Sequence, residues 1–154
     1  IYNFYHRYKL NFVNYHKFMF LEGDYEEKIN IFKNIKNSKL KKIYVCNKDL
    51  SIKLKDLLNI DTFIIVPFKN WYDEKGEYYL NLLKKELKNN NKHIILFSSG
   101  QTDHIFINKI KKYKPNNIMI SIGSGFDWYC LDKKTRSQEL TKEEYISYIN
   151  KIIL

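Results

Sequence analysis

Short apolar runs alternate with amphipathic segments along most of this chain, and this alternation constrains the fold more than any other feature. Four runs have the length and the β-branched or aromatic content of strands: KKIYVCN (41–47), TFIIVPF (62–68), KHIILFSSG (92–100) and NNIMISIG (116–123). The segments after them repeat apolar residues at helical spacing, as in Leu50, Leu54, Leu57 and Leu58. The chain is therefore predicted to alternate strand and helix.

Strands that are joined by helices run parallel, because the helical crossover returns the chain to the edge from which it left. The runs are nearly all apolar, as a sheet covered on both faces requires. We therefore expect an α/β fold, Rossmann-like, with a mostly parallel sheet of about four or more strands and helices on both faces. The length of 154 residues predicts a single domain, with an aromatic-rich helical segment over 1–40 and the Rossmann-like core over 41–154.

The two ends of the chain carry further local signals. The segment DYEEKINIFKNIKNS (24–38) has the pattern of an amphipathic helix. Thr141 and Glu144 have the spacing of a capping box that opens a last helix. The chain begins with Ile1 rather than Met, so we expect the N-terminus to be incomplete.

The net charge is +10, which by itself suggests a polyanionic partner. Arg7 and Arg136 are the two arginines, and the other 25 of the 27 basic residues are lysines. Lys, Asn and Ile are the residues that AT-rich codons supply, so a viral or otherwise AT-rich genome accounts for much of the charge. Nucleic acid is therefore not the expected partner.

Two features that the sequence lacks bear on the cellular location of the protein. No run of 18 apolar residues occurs, so we expect no membrane-spanning helix. Cys46 and Cys130 are far apart and form no CxxC pair, so neither a zinc site nor a disulfide is expected. The composition favours a cytoplasmic protein with reduced thiols.

In open α/β sheets, ligands bind beyond the carboxyl ends of the strands, so four loops are candidates: CNKD, PFKNWYDE, SSGQTDH and GSGFDWYCLDKKTRSQ. The third is the most informative. Ser98, Ser99, Gly100 and Gln101 lie where a strand ends and a helix begins, and the backbone N–H groups and dipole there favour an anion. A phosphate or diphosphate would fit. The alternative is capping of the helix by Ser99 beside a glycine turn.

The fourth loop offers a second set of polar groups. Gly123, Ser124 and Gly125 can form an anion nest or contact a ribose. Asp127 could accept hydrogen bonds from sugar hydroxyls, ligate a metal or act as a base; alternatively, it caps a short helix. Arg136 offers a bidentate guanidinium that lysine cannot replace, or else forms a surface ion pair.

Asp103 and His104 open the helix after Gly100, and each is either catalytic or an ordinary residue of the first helical turn. No Ser/His/Asp or Cys/His constellation can be assembled, and the sequence contains no P-loop. The metal ligands, if a metal is bound, stay unknown.

The combination HIILFSSGQTDHIFINKIKK, NNIMISIGSGFDW and KKTRSQ resembles the C-terminal half of the GT-D-type glycosyltransferases and of related proteins of bacteria and giant viruses. The resemblance extends over about residues 41–136 and is specific in its last two loops. The matching positions are Ser98, Ser99, Gly100, Gly123, Ser124, Asp127, Thr135 and Arg136.

The resemblance implies a Rossmann-like domain that transfers a hexose from a UDP-type nucleotide-sugar to a glycan or protein-linked acceptor, with a divalent metal such as Mn or Mg. It implies that Ser98–Gly100 and Arg136 hold the diphosphate. Asp127 would position the sugar or a metal, or act as the base. The family takes its metal ligands from an Asp-Gly-Glu motif, whereas this chain has Glu22, Gly23 and Asp24 in another order, so no metal role is assigned to them.

Two other functions stay open. ISIGSGFD also resembles the cofactor loop of S-adenosylmethionine-dependent methyltransferases, although that loop normally follows the first strand rather than the fourth. A non-catalytic, basic Rossmann-like module that binds nucleic acid or another acidic partner would instead cluster its lysines, with aromatics between them, on one face.

Overall fold

Strand and helix alternate along the chain in the computed structural model, which describes residues 25–89, 91–133 and 140–154. The elements are α1 (Tyr25–Asn37), β1 (Lys41–Cys46), α2 (Lys48–Leu58), β2 (Thr62–Ile65), α3 (Trp71–Glu86), β3 (His93–Ser98), α4 (Thr102–Tyr113), β4 (Ile118–Ser121), α5 (Asp127–Leu131) and α6 (Lys142–Ile153). Each of the four predicted strands is present, so the alternation inferred from the sequence is confirmed.

The four strands form one sheet in the order β2-β1-β3-β4, and every neighbouring pair is parallel. Ile43 of β1 lies opposite Thr62 on one side and Ile95 on the other, which places β1 inside the sheet. The chain moves from β1 to one side for β2, and then crosses to the other side for β3. The carboxyl ends of β1 and β3 therefore form the topological switch point at which such sheets bind ligands.

Side chains of the central strand alternate between two apolar layers, as the two-residue period of a strand requires. Tyr44 and Cys46 enter the layer that α1, α2, α5 and α6 cover. Ile43 and Val45 enter the opposite layer, beneath α3 and α4. All four side chains are fully buried. Helices on both faces of an all-parallel sheet confirm the predicted α/β, Rossmann-like architecture.

The described part of the predicted N-terminal helical segment belongs to the same core as the sheet. Ile29 and Phe32 of α1 are buried in the layer that contains Tyr44, and α1 packs beside α6. The remaining part of that segment, residues 1–24, lies outside the described residues. None of the described helices has the length and apolar content that crossing a bilayer requires.

The predicted capping box opens α6. The Thr141 hydroxyl accepts a hydrogen bond from the Glu144 N–H at 3.2 Å, and Glu144 Oε2 accepts one from the Thr141 N–H at 2.8 Å. This reciprocal pair satisfies two N–H groups that a helix start otherwise leaves unpaired. It fixes the start of the helix that covers one face of the sheet.

Candidate ligand-binding cleft

A cleft of about 560 Å³ opens at the carboxyl edge of the sheet. All four strands contribute to its lining through the residues that follow them: Asn47 and Asp49 after β1, Pro67 and Phe68 after β2, Ser99 and Gly100 after β3, and Gly123, Ser124 and Asp127 after β4. The cleft thus lies at the switch point between β1 and β3, where the fold alone predicts a ligand site.

Most of the residues predicted from the two glycine-containing loops line this one cleft. From the third loop these are Ser98, Ser99 and Gly100, and from the fourth they are Gly123, Ser124 and Asp127. The two loops are more than 20 residues apart in the sequence, and the parallel pairing of β3 with β4 brings them together.

Two predicted residues do not line the cleft. Gln101 is exposed at the start of α4 and is not among the lining residues. Gly125 is buried behind the lining, where its carbonyl accepts a hydrogen bond from the Tyr145 hydroxyl at 3.0 Å. Arg136 lies outside the described residues. Gly125 therefore connects the fourth loop to α6 rather than facing the cleft.

The loop after β3 presents backbone N–H groups at the start of a 12-residue helix. Gly100 has φ +79°, a left-handed conformation, and a Cβ built on it would meet no atom within 4 Å. Glycine is thus favoured here by backbone conformation rather than by lack of space. The N–H groups of Gly100 and Gln101 make no hydrogen bond to a described residue. They are available to an anion, which the dipole of α4 also favours.

A buried carboxylate holds this loop in place. Asp103 is 1% exposed, and its Oδ1 accepts hydrogen bonds from the Ser99 N–H at 2.9 Å and from the Ser99 hydroxyl at 2.5 Å. Its Oδ2 accepts one from the Ser121 hydroxyl at 2.7 Å. Asp103 therefore connects the third loop to the end of β4 and does not line the cleft. This geometry indicates a structural role.

The burial of Asp103 also shifts the pKa of its carboxyl. Desolvation raises the pKa of this carboxyl above its ordinary value, and the hydrogen bonds from Ser99 and Ser121 counteract that shift in part. His104, the other residue considered at this helix start, is exposed and is absent from the cleft lining.

The loop after β4 continues the pairing of that strand and then turns away. The N–H groups of Ile122 and Gly123 both donate to the Phe97 carbonyl, at 2.8 and 3.3 Å. Gly123 then adopts φ +56°, which turns the chain across the end of the sheet. The Ser124 Oγ is shielded from solvent and has no hydrogen-bond partner in the described part of the chain. An unpaired buried hydroxyl costs stability.

Asp127 is the first residue of the short helix α5 and is half-buried at the cleft wall. Its N–H donates to the Ser124 carbonyl at 3.1 Å, which closes the turn between loop and helix. The sequence alternatives for Asp127 were a functional carboxylate and the cap of a short helix. Phe126 is the N-cap of α5 and no side chain caps this helix, whereas Asp127 follows as its first residue and lines the cleft.

The lining carries few charges. Asp49 and Asp127 provide carboxylates, and Lys133 is the one lysine among the described lining residues. Across the described residues, no group of three or more His, Cys, Asp or Glu side chains is arranged to hold a metal ion. The Glu22–Asp24 segment lies outside the described residues.

The two cysteines are buried away from the cleft. Cys46 at the end of β1 and Cys130 in α5 are both buried free thiols. Desolvation raises the pKa of each to about 12, and each residue lies in the layer beneath the cleft. Thiolate is the nucleophilic form, so neither residue is a candidate nucleophile.

Sequence reasoning identified the loops after β1 and β2 but no particular residue in them. Phe68 is the main omission: it belongs to the candidate loop PFKNWYDE, but the sequence assigned it no role there. The strand in fact ends at Ile65, and Phe68 lies at the cleft with 73% of its surface exposed. Pro67, which cannot donate to a strand ladder, is the sequence signal that ends the predicted strand before Phe68.

The chain matches no protein-family model, and comparison with curated proteins and with solved structures likewise finds no match. The evidence for function is accordingly the cleft itself: its place at the switch point, the N–H groups at the start of α4, and the polar groups of the fourth loop.

Proposed function

We propose that the cleft binds a UDP-type nucleotide-sugar and that the protein transfers a hexose from it to a glycan or protein-linked acceptor. One observation carries this proposal: the Ser98–Gly100 loop and the Gly123–Asp127 loop meet in one cleft at the carboxyl edge of the sheet. These are the two loops in which the sequence resembles the GT-D-type glycosyltransferases.

The diphosphate is assigned to the loop after β3. The N–H groups of Gly100 and Gln101 and the dipole of α4 offer partial positive charge at a fixed position. Asp103 holds Ser99, so the N–H groups need little rearrangement when charge builds up on a departing diphosphate. Such preorganised donors stabilise a leaving group in the transition state.

The transferred sugar is assigned to the loop after β4. Ser124 and Asp127 lie in the lining beside the third loop. In the transfer, an acceptor hydroxyl attacks the anomeric carbon while the bond from that carbon to the diphosphate oxygen breaks. Asp127 takes the proton of the acceptor hydroxyl, and the diphosphate leaves with the bonding electron pair.

Two alternatives are less well supported. A methyltransferase places its glycine loop after the first strand. Here β1 is followed by Asn47, Lys48 and Asp49, and the glycines of the ISIGSGFD segment follow the edge strand β4. A basic binding module requires clustered lysines. The described lining has a single lysine together with two carboxylates, so it lacks the lysine cluster that such a module needs.

A thermal-shift panel tests the proposal, because a ligand that binds the folded state raises the melting temperature. The panel contains UDP, UDP-glucose, S-adenosylmethionine and single-stranded DNA, with and without manganese. UDP and UDP-glucose are expected to stabilise the protein, and release of UDP from UDP-glucose would report transfer. Stabilisation by S-adenosylmethionine alone would contradict the proposal. DNA binding that disappears at moderate salt would indicate nonspecific charge only.

A further inference from the structure

Phe68 is unusual among the exposed apolar side chains of this protein because it lines a cleft. Its side chain is 73% exposed. The other large exposed hydrophobic residues among those described, such as Ile52 and Tyr78, do not line it. A single exposed apolar residue on a convex surface needs no explanation. An uncovered aromatic ring in a concave site provides a flat surface against which a ligand ring can stack.

The loop that carries Phe68 is anchored at both ends. Val66 is 1% exposed, and its N–H donates to the Cys46 carbonyl at 3.0 Å. Trp71 is 5% exposed and packs edge-to-face on Tyr79 and Phe106, with ring centroids 5.3 and 5.5 Å apart. Only residues 67–70 connect these anchors, and Pro67 restricts its own φ. The exposed position of the Phe68 ring is thus imposed by a short, anchored loop.

The strand order places Phe68 on the far side of the phosphate loop from Ser124. Adjacent strands are about 4.8 Å apart, so the loop after β2 lies about 10 Å from the loop after β3, with the loop after β1 between them. The loop after β4 lies about 5 Å beyond β3 on the other side. Along the cleft the order is therefore an aromatic ring, the polar residues Asn47 and Asp49, the N–H groups at Gly100, and then Ser124 with Asp127.

We infer that Phe68 is the stacking surface for the nucleobase of the ligand. The nucleoside diphosphate lies across the carboxyl edge with its base after β2, its ribose beside Asp49, and its diphosphate after β3. The transferred sugar then lies after β4. This inference rests on the proposed function, because it assigns an orientation and a base-recognition residue to the same ligand. The Asp49 carboxylate is exposed and can accept hydrogen bonds from ribose hydroxyls.

A ligand-truncation cycle tests the assignment. Dissociation constants of UDP and of inorganic pyrophosphate are measured by calorimetry for the wild type and for Phe68→Ala, Phe68→Tyr and Tyr78→Ala. Loss of a stacking ring weakens binding of a base by about 5- to 150-fold. We expect that loss for UDP with Phe68→Ala, and a change of less than about twofold for pyrophosphate, which has no base. Phe68→Tyr should retain UDP affinity, and Tyr78→Ala, an exposed aromatic outside the cleft, should not affect it.

The outcomes separate this inference from the proposed function. Unchanged UDP affinity in Phe68→Ala, or equal losses for UDP and pyrophosphate, would overturn the stacking role while leaving a phosphate site in place. If the wild type bound pyrophosphate as tightly as UDP, the base would contribute nothing to affinity, and the stacking role would again be overturned. Failure of the wild type to bind either compound would overturn the proposed function itself. Circular dichroism of each variant identifies any that does not fold, and Phe68→Leu then replaces Phe68→Ala.

Discussion

The buried carboxylate of Asp103 accepts hydrogen bonds from both the backbone N–H and the hydroxyl of Ser99, at 2.9 and 2.5 Å. One side chain thereby fixes the loop that lies between the end of β3 and the start of α4. The N–H groups that follow in this loop are the ones assigned to the diphosphate. The position of the proposed anion site thus depends on a residue that does not face the cleft.

Substitution of Asp103 should separate its hydrogen bonding from its charge. Asp103→Ala leaves the Ser99 N–H without its acceptor, and an unsatisfied buried group costs about 1–3 kcal/mol of unfolding free energy. Asp103→Asn keeps an acceptor oxygen for Ser99 and offers an amide donor to Ser121, so it should lose less. Urea unfolding of the three proteins provides the comparison. Equal stability of the Ala and Asn variants would mean that these hydrogen bonds contribute nothing.

The pH dependence of stability should show the cost of burying this carboxylate. Burial raises the pKa of Asp103 in the folded protein above its value in the unfolded chain. Between the two pKa values the folded state binds more protons, so the free energy of unfolding falls as the pH rises through that window. The side chain at position 103 cannot titrate in Asp103→Asn. As the pH rises through this window, the wild type should therefore lose stability relative to that variant. A relative gain with rising pH across the same window would show that the pKa is lowered instead.

Gly100→Ala should affect both stability and ligand binding. A left-handed conformation costs a residue with a Cβ about 1–2 kcal/mol, so the variant is either strained or rearranged at the N–H groups of the loop. Asn59→Ala is the matched control, because Asn59 has φ 53° at the end of α2 and does not line the cleft. Both variants should melt at lower temperature, and Gly100→Ala alone should bind pyrophosphate more weakly. Equal pyrophosphate affinity in both variants would argue against an anion site at this loop.

The buried thiols should be nearly inert in the folded protein. With a pKa of about 12, Cys46 and Cys130 are thiolate in about one molecule in ten thousand at pH 8. Reaction with a chromogenic disulfide should therefore be slow in buffer and complete within minutes in denaturant, with two thiols per chain. Rapid labelling of either cysteine under native conditions would contradict the burial described here.

The sequence was sufficient to predict the alternating strands and helices and the parallel sheet, because apolar runs of strand length alternate with segments of helical periodicity. It did not determine the strand order, which depends on how the helices pack on the two faces. That order decides that Phe68 and Ser124 lie at opposite ends of one cleft. The strand boundaries also differ from the apolar runs, because β2 ends at Ile65 although its run continues to Phe68.

The site was only partly accessible to sequence reasoning. The small residues of the third and fourth loops were identifiable because glycine and serine at the end of a strand are typical of ligand loops. The inward direction of the Asp103 side chain was not identifiable from the sequence, because an acidic residue in a first helical turn usually interacts with that helix end. Its partner Ser121 comes from a different strand. Gly125 is likewise buried, and its carbonyl accepts a hydrogen bond from the Tyr145 hydroxyl of α6.

The location of ligand binding tests the central claim most directly. Titration of isotope-labelled protein with UDP, followed by backbone amide NMR, reports which N–H groups respond, and uridine serves as a control without phosphate. We predict the largest UDP-induced shifts at Gly100, Gln101, Gly123 and Ser124, with those at Gly100 and Gln101 absent for uridine. Saturating UDP that leaves these amides unchanged, or that shifts only the opposite edge of the sheet around His93 and Asn117, would contradict the claim.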